Sequence, residues 1–384
     1  ALPISKEPST AKISEKIAQI EEELSRTQIN KATMSHICRL KARLAQLKRE
    51  AIEIVARKSG SSGPGFEVRR SGDARIGLFG FPSVGKSTLL NALTGASSKV
   101  AAYEFTTLTP VPGIISINGA KIQILDLPGI LEGASDGVGR GKQVIAVART
   151  CSLILMVLDG CQPLTLLRIL ENELSGYGIK LNKRPPRIRV DIRDRNGIAI
   201  TSSCPQPELT DEIILDVLRN TYRINHAVVH FDEPATIDDL IDVLEGNRVY
   251  IPAIYVVNKC ELLTKEQIAE FSKKPDTMCV SAKTNINLDH LVTRIWDYLD
   301  LIRVFTQPHG EEIDPEPMVL SANRCTVKDL CEKIHTSMVE SFKFAWVTGT
   351  SVNHYPAKCG LNHILHDGDI ITLEIGRASC RERV

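Results

Sequence analysis

The stretch RIGLFGFPSVGKSTLLNALTG, residues 75–95, decides the fold. It begins with an apolar run typical of a strand buried inside a parallel sheet, and it ends with a helical pattern of leucines. Between them, Gly80 to Ser87 match G-x-x-x-x-G-K-[ST], a loop whose glycines let backbone N–H groups close around phosphate oxygens. The sequence therefore predicts a phosphate-binding loop (P-loop) between a strand and a helix.

The side chains of this loop have separate predicted roles. Lys86 supplies a positive charge to the β- and γ-phosphates and is assigned a catalytic role, and the Ser87 hydroxyl is expected to bind magnesium. The loop residues predicted to contact the nucleotide are Gly80, Phe81, Pro82, Ser83, Val84, Gly85, Lys86, Ser87 and Thr88.

A second phosphate segment follows the apolar run KIQILD. Asp126 ends that run and begins a D-x-x-G sequence that closes at Gly129. The Asp126 carboxylate is expected to hold magnesium, and the Gly129 N–H is expected to contact the γ-phosphate and to act in catalysis. An Asp before a Pro-Gly turn is common in any loop, so the support for this motif is its place after a second buried strand.

Two further strand ends are predicted to bind the base. The segment Asn258-Lys259-Cys260-Glu261 follows YIPAIYVV, and Ser281-Ala282-Lys283 follows TMCV. A carboxylate at Glu261 can accept from guanine N1–H and the N2 amine, donors that adenine lacks, and the Ala282 N–H can reach O6. The sequence therefore favours guanine, with predicted contacts from Asn258, Lys259, Glu261, Ser281, Ala282 and Lys283.

The composition excludes several classes of protein. Lys plus Arg number 47 and Asp plus Glu 46, so no overall field attracts nucleic acid or an anionic membrane. The longest apolar run is far shorter than the roughly 18 residues that span a bilayer, and we expect no membrane association. Ten cysteines occur without a C-x-x-C pair, which favours a reducing, cytoplasmic compartment.

The N-terminal segment has two helical patterns, which predict a helical hairpin with Thr33 as the N-cap of the second helix. That helix carries a basic face, which is expected either to contact RNA phosphates or to be a solvated surface. The basic residues are Arg39, Lys41, Arg43, Lys48 and Arg49.

Beyond the hairpin, short runs rich in Ile, Leu and Val alternate with helical stretches. This pattern predicts a doubly wound α/β domain with a mostly parallel sheet. About ninety residues separate the runs SLILMVLDG and YIPAIYVVNK, more than a strand-to-helix connection needs, so we expect an inserted subdomain there. From about Leu301 onward the pattern indicates a separate small α+β unit, ending in a strand pair around the turn Asp367-Gly368.

With these motifs in order, the sequence resembles a known family. The stretches GFPSVGKST, AAYEFTTLTPVPG and DLPGILEGASDGVGRGKQVIAVART are similar to the Obg-related, TRAFAC-class GTPases, and specifically to the developmentally regulated GTP-binding protein (DRG) family. The resemblance covers almost the whole chain. It implies a P-loop GTPase domain, an inserted α+β subdomain and a C-terminal ubiquitin-like (β-grasp) TGS domain. It also implies association with ribosomes and with a dedicated regulatory partner protein.

The resemblance assigns roles in switch I as well. In the segment Phe105-Thr106-Thr107, it implies that Thr107 closes on magnesium when GTP is bound and takes part in catalysis, while Phe105 and Thr106 contact the nucleotide. The residue after Gly129 is Ile130, where Ras-like proteins carry a water-orienting glutamine, so we expect slow intrinsic hydrolysis.

The chain departs from relatives at other positions. Glu261 replaces the usual Asp, and the C-terminal end lacks the family's basic residues. Some relatives use potassium, bound in part by a P-loop asparagine. Ser83 stands at that position, and the sequence leaves potassium use open.

The expected organisation has five parts. They are a helix-turn-helix hairpin and linker at residues 1–66, a GTPase domain at 67–170 and 246–300, an inserted subdomain at 171–245, a TGS domain at 301–374, and a non-native tail at 375–384 that resembles translated adapter sequence.

The favoured hypothesis is a cytoplasmic GTPase that acts as a switch on ribosomes. The alternative is a non-catalytic scaffold that responds to nucleotide and binds ribosome or RNA through its hairpin and TGS domain, and its support in the sequence is Glu261. A generic P-loop ATPase is a weaker third option because it would not need the two base-reading segments.

Overall fold

The structure is a computed structural model that describes residues 10–28, 30, 33–59, 72–95, 111–127, 147–163, 165–176, 178–207, 209–246, 248–308 and 310–376. It divides into two compact units. The first is drawn from Ala1–Gly65, Gly133–Arg149 and Leu164–Ile251, and the second from Phe66–Glu132, Thr150–Pro163 and Pro252–Val384.

The α-helices of the described residues are α1 (Thr10–Arg26), α2 (Met34–Ser59), α3 (Lys86–Thr94), α4 (Thr165–Gly176), α5 (Asp211–Asp216), α6 (Ile237–Glu245), α7 (Lys265–Ser272), α8 (Leu288–Leu299), α9 (Val327–Ile334) and α10 (Ser337–Ser341). The strands are β1 (Ala74–Phe79), β2 (Val111–Ile117), β3 (Ala120–Asp126), β4 (Leu153–Asp159), β5 (Ile179–Leu181), β6 (Ile188–Ile192), β7 (Ile198–Ser202), β8 (Ala227–Phe231), β9 (Val249–Ile251), β10 (Ala253–Asn258), β11 (Thr277–Cys279), β12 (Leu301–Thr306), β13 (Met318–Ser321), β14 (Phe342–Thr348), β15 (Ala357–Cys359) and β16 (Asp369–Ile375).

The second unit contains a six-stranded sheet in the order β11-β10-β4-β1-β3-β2, and this confirms the predicted doubly wound α/β domain. The pairs along it are parallel except β2 with β3. Every residue of β1 is buried, as expected for a strand covered on both faces. The edge strand β2 was not predicted. It is joined to β3 by Asn118-Gly119, both with positive φ, the turn that connects tight hairpins.

The apolar run YIPAIYVV, predicted as one strand, is two strands. Pro252 separates them, because proline has no N–H to continue a strand ladder. Strand β9 pairs with β5 in the first unit, and β10 pairs with β4 and β11 in the second.

The first unit contains the hairpin and most of the segment between β4 and β10, from Leu164 to Ile251. The segment contains a three-stranded sheet in the order β6-β8-β7, whose core includes Phe231 and Leu240. Ala42 and Ala45 of helix α2 pack against Ile241 of helix α6 in this segment. The Thr33 carbonyl accepts from the Ile37 N–H at the start of α2, whereas the Thr33 hydroxyl donates to the Gln28 carbonyl in the preceding loop.

The basic face of α2 is partly exposed to solvent and also forms ion pairs that were not predicted, while its contact with RNA stays a prediction. Four of its five cations contact carboxylates of the same unit, and the side chains of these four cations remain 29% to 51% exposed. The pairs are Arg39 with Asp216 at 3.4 Å, Lys41 with Asp238 at 2.9 Å, Lys48 with Glu21 at 2.8 Å and Arg49 with Glu245 at 3.6 Å. The basic face therefore contributes to packing between the hairpin and the inserted segment.

The C-terminal part is a five-stranded sheet in the order β13-β12-β16-β14-β15, with β12 and β16 parallel and α9 packed on one face. This order confirms the ubiquitin-like β-grasp fold. The predicted terminal strand pair is wrong. Residues 363–366 form no strand, and the turn at Gly368 leads into the single strand β16. Ile375, assigned to the tail, is the last residue of β16 and pairs with Phe342. The rest of the predicted tail, from residue 377, lies outside the described residues.

Within the described ranges, no helix is long and apolar enough to cross a membrane. The linker predicted after the hairpin lies mostly outside those ranges.

Candidate nucleotide site

The predicted site residues that the structure describes meet at one edge of the six-stranded sheet. In the parallel register, Leu78 of β1 is opposite Asp126 of β3, and Asn258 of β10 is opposite Asp159 of β4. The carboxyl ends of these strands therefore lie at the same edge, where ligands bind in open α/β sheets.

The P-loop connects β1 to α3 with little free space. A Cβ atom at Gly80 would collide with the Val157 carbonyl oxygen, so only glycine fits there. Gly85 has φ +91°, in the left-handed region that favours glycine, and directly precedes α3. The Lys86 ammonium donates to the carbonyls of Gly80 and Phe81, at 2.9 and 2.8 Å. The Lys86 ammonium is thus held inside the loop that is predicted to bind the phosphates.

The two described residues predicted to bind magnesium are in contact. The Ser87 hydroxyl donates to Asp126 Oδ2 at 2.5 Å. Hydroxyl and carboxylate oxygens are hard donors, and Mg²⁺ in nucleotide sites takes one or two protein oxygens together with phosphate oxygens and water. Within the described residues there is no group of three or more His, Cys, Asp or Glu side chains that could form an all-protein metal cage. The pair fits a nucleotide-dependent magnesium site.

The base-reading segment is bonded to the P-loop. Asn258 is buried, and its Nδ2 donates to the Val84 carbonyl at 2.9 Å. Its Oδ1 accepts from the Ala282 N–H at 3.0 Å. The N–H predicted to reach guanine O6 is thus bonded to Asn258 in this structure, and its role toward O6 stays a prediction.

The other base-reading residues differ in exposure. Ser281 is buried, and its hydroxyl accepts from the Thr284 N–H at 3.1 Å, which shapes the turn after β11. Glu261 and Lys283 are exposed, with Glu261 on the 3₁₀ turn Cys260–Leu262. Both side chains are therefore accessible to a ligand.

Several predicted residues cannot be placed. Phe105, Thr106, Thr107, Gly129 and Ile130 lie outside the described residues, and their roles stay predictions.

One residue at the site was missed from the sequence. Asp159 at the end of β4 contacts Lys259 of the base-reading segment, with 2.7 Å between Oδ2 and Nζ. Its position at the carboxyl end of a buried central strand was the available signal.

This sheet, with a P-loop after β1 and acidic or Asn-Lys ends on β3 and β10, defines a P-loop GTPase domain. Three family models match the chain in sequence. They are a 50S ribosome-binding GTPase domain at residues 75–190, the C-terminal region of that domain at 195–301, and a TGS domain at 302–374.

Curated relatives match over nearly their whole length. Developmentally-regulated GTP-binding protein 1 of Xenopus laevis is 52% identical over 359 residues, which cover 93% of this chain and 98% of the relative. Ribosome-interacting GTPase 1 of Saccharomyces cerevisiae is 51% identical over 362 residues, covering 94% and 98%. The chain therefore belongs to the developmentally regulated GTP-binding protein family, a family of GTPases.

Among solved structures, the YchF GTPase of Schizosaccharomyces pombe matches with a TM-score of 0.45 and 17% identity, covering 80% of this chain and 99% of that one.

Proposed function

We propose that this protein binds GTP with Mg²⁺ at the site described above, hydrolyses it to GDP and phosphate, and uses the cycle as a switch on ribosomes in the cytoplasm. The observation that carries the proposal is the contact of Ser87 with Asp126 beside a P-loop that holds Lys86. The name of the yeast relative, Ribosome-interacting GTPase 1, supports the ribosomal part.

Each side chain contributes a separate interaction. Lys86 places a fixed positive charge beside the β- and γ-phosphate oxygens. The backbone N–H groups at the start of α3 carry partial positive charge and donate hydrogen bonds to the same oxygens. Ser87 and Asp126 would hold the magnesium ion, which neutralises the charge that develops on the phosphates. Glu261 and the segment after β11 select guanine through donors that adenine lacks.

Turnover by the protein alone is expected to be slow. Ile130 has no polar group to orient water, so a donor must come from the ribosome, from a monovalent cation such as K⁺, or from the family's regulatory partner protein. A group supplied in this way raises GTPase rates by about 10³ to 10⁵ in other systems.

Single-turnover hydrolysis of GTP with and without ribosomes tests the proposal. We expect slow hydrolysis alone, acceleration by ribosomes, and no hydrolysis by Lys86→Ala in either condition. The same reactions in sodium and in potassium separate a cation effect from a ribosomal one. The proposal fails if Lys86→Ala hydrolyses GTP within twofold of wild type, or if ribosomes leave the rate unchanged and do not cosediment with the GTP-bound protein.

A further inference from the structure

Asp159 forms an ion pair beside the nucleotide site that none of the predicted roles uses. Its Oδ2 contacts Lys259 Nζ at 2.7 Å, and its Oδ1 accepts from the Cys161 N–H at 3.0 Å. The Asp159 side chain is 12% exposed and that of Lys259 is 34% exposed. The carboxylate is thus held from two directions in a partly desolvated position, where charge pairs are stronger than at an open surface.

The carboxylate is ionised at neutral pH. Burial by itself raises the pKa of Asp159, but the hydrogen bonds from Lys259 and from the Cys161 N–H outweigh it, and the pKa lies below its ordinary value. A charged Asp159 therefore faces Lys259 throughout the physiological range.

Lys259 in turn contacts the P-loop. Its Nζ donates to the Ser83 carbonyl at 3.2 Å, and both residues have positive φ, +63° at Lys259 and +60° at Ser83. Left-handed backbone at a residue other than glycine persists where surrounding contacts hold it. The lysine thus joins three segments: the end of β4, the end of β10 and the phosphate loop.

A lysine left alone would not hold this geometry. The ammonium is strongly hydrated and sits on a flexible stem that loses rotamer freedom when it is fixed, so a single bond to a neutral carbonyl is a weak restraint. A hydrogen bond to a charged group is roughly twice as strong as a neutral one. Asp159 supplies that bond to Lys259. Among the described residues, no other carboxylate lies within hydrogen-bond distance of the Lys259 ammonium.

We propose that Asp159 is a positioning residue for guanine-nucleotide binding, which holds Lys259 against the Ser83 carbonyl and so fixes the base-reading segment to the phosphate loop. This inference rests on the proposed function, because it assumes that the site binds guanine nucleotides. Without Asp159 the two segments separate more easily, so bound nucleotide leaves faster. The hydrolytic step itself uses other residues and is unaffected.

The test is a comparison of Asp159→Asn, Lys259→Met and the double variant in the full chain. Dissociation constants and release rates of fluorescent GDP are measured, together with single-turnover hydrolysis at saturating GTP. We expect Asp159→Asn to raise the Kd for GDP by about tenfold, mostly through faster release. Hydrolysis of bound GTP should stay within about twofold of wild type. The double variant should bind GDP no more weakly than Lys259→Met alone, because both changes remove the same interaction.

Asp367→Asn is the matched control. It breaks an Asp–cation contact of the same length, 2.7 Å to Arg303, in the TGS domain, and should leave GDP release unchanged. Asp159→Glu keeps the charge and should bind GDP at least about threefold more tightly than Asp159→Asn. This comparison separates loss of the charge from a folding defect caused by any substitution at this position.

The inference is overturned if Asp159→Asn binds GDP within twofold of wild type. It is also overturned if the double variant raises the Kd for GDP by the product of the two single effects, or if Asp159→Glu has the same Kd for GDP as Asp159→Asn. A different result, no guanine-nucleotide binding by the wild type, would overturn the proposed function itself.

Discussion

At the scale of single residues, Gly85 shows how closely the phosphate loop packs on the base-reading strand. Its φ is +91°, and a Cβ atom there would collide with Nδ2 of Asn258, the atom that bonds the Val84 carbonyl. An alanine must therefore displace the Asn258 side chain as well as adopt a left-handed backbone. Glycine at position 85 thus has a packing reason in addition to its predicted role toward phosphate.

Gly85→Ala should weaken GDP binding at least about tenfold, because the collision disturbs both the loop and Asn258. Gly197→Ala is the matched control, since Gly197 also has positive φ, +71°, but has open space around it. Both variants should lose about 1 kcal/mol of stability from the left-handed alanine. Isothermal titration with GDP and thermal unfolding give the two quantities. Equal GDP affinity in the two variants would contradict the packing argument.

Glu261 is predicted to determine how well the site distinguishes guanine from adenine. Glu261→Asp should keep or improve the preference for GTP over ATP, because it restores the shorter carboxylate usual in the family. Glu261→Ala and the neutral Glu261→Gln should lose it, since leaving the guanine donors unpaired costs about 1–3 kcal/mol. Competition of ATP against labelled GDP measures the preference. An Ala variant that rejects ATP as well as wild type would remove Glu261 from base reading.

Much of the site was predictable at this scale because its motifs have fixed spacing. The loop from Gly80 to Ser87 follows from a strand, a turn and a helix that are local in sequence. The contact of Ser87 with Asp126 joins residues 39 positions apart, but each of the two residues is marked by its own motif. Asp159 was not predictable in the same way, because its partner Lys259 is 100 residues away and no motif marks it. Its role depends on which strands are neighbours, and the sheet order decides that.

At the scale of elements, helix α2 forms ion pairs that the sequence did not predict. Its cations were interpreted as a face for RNA or for solvent, and their pairing was missed because most of the acidic partners are distant in sequence. Lys41 and Asp238, for example, are separated by 197 positions. Periodicity identified the helix, but it contains no information about which surface covers a charged face.

Lys41→Glu should destabilise the unit formed by the hairpin and the inserted segment, because it places two carboxylates at the contact of Lys41 with Asp238. The pair is largely exposed, so the loss should be about 1 kcal/mol or less. Adding Asp238→Lys should restore stability by reversing the pair. Arg43→Glu, whose guanidinium contacts Gln46 within α2, is the control and should change little. Denaturant unfolding measures all four proteins, and failure of the double variant to recover would contradict a specific ion pair.

In the C-terminal domain, the turn before β16 depends on a charge that acid removes. Asp367 Oδ1 accepts from the Arg303 N–H at 2.7 Å, and the Arg303 guanidinium pairs with Oδ2. These bonds hold the pKa of Asp367 below its ordinary value. A carboxyl group with a depressed pKa in the folded state stabilises it above the unfolded pKa of about 3.9, and the contribution is lost as pH falls through the folded value.

Asp367→Asn should therefore melt at a lower temperature than wild type at pH 7, and this difference should shrink as the pH falls below the unfolded pKa of about 3.9 toward the lower folded value. Thermal unfolding of the full chain at pH 7 and at a series of acidic pH values checks this. A difference that persists unchanged in acid would show that the charge is not the cause.

At the scale of the whole molecule, every described residue of the nucleotide site belongs to the second unit, while the hairpin and the inserted segment form the first. The alternation of apolar runs predicted the parallel sheet and the presence of an insertion. It did not predict that Pro252 divides one run between two sheets, since a single proline inside an apolar stretch is compatible with an edge strand. Local sequence patterns also could not predict which strands pair when they are distant in sequence.

The central claim is that this chain is a guanine-nucleotide switch, and equilibrium binding of GDP, GTP and ATP to the purified protein in the presence of Mg²⁺ tests it most directly. GDP and GTP should bind, ATP should bind at least about a hundredfold more weakly, and Lys86→Ala should lose most of the affinity for GTP. Binding of ATP as tightly as GTP, or GTP affinity that is unchanged in Lys86→Ala, would contradict the account.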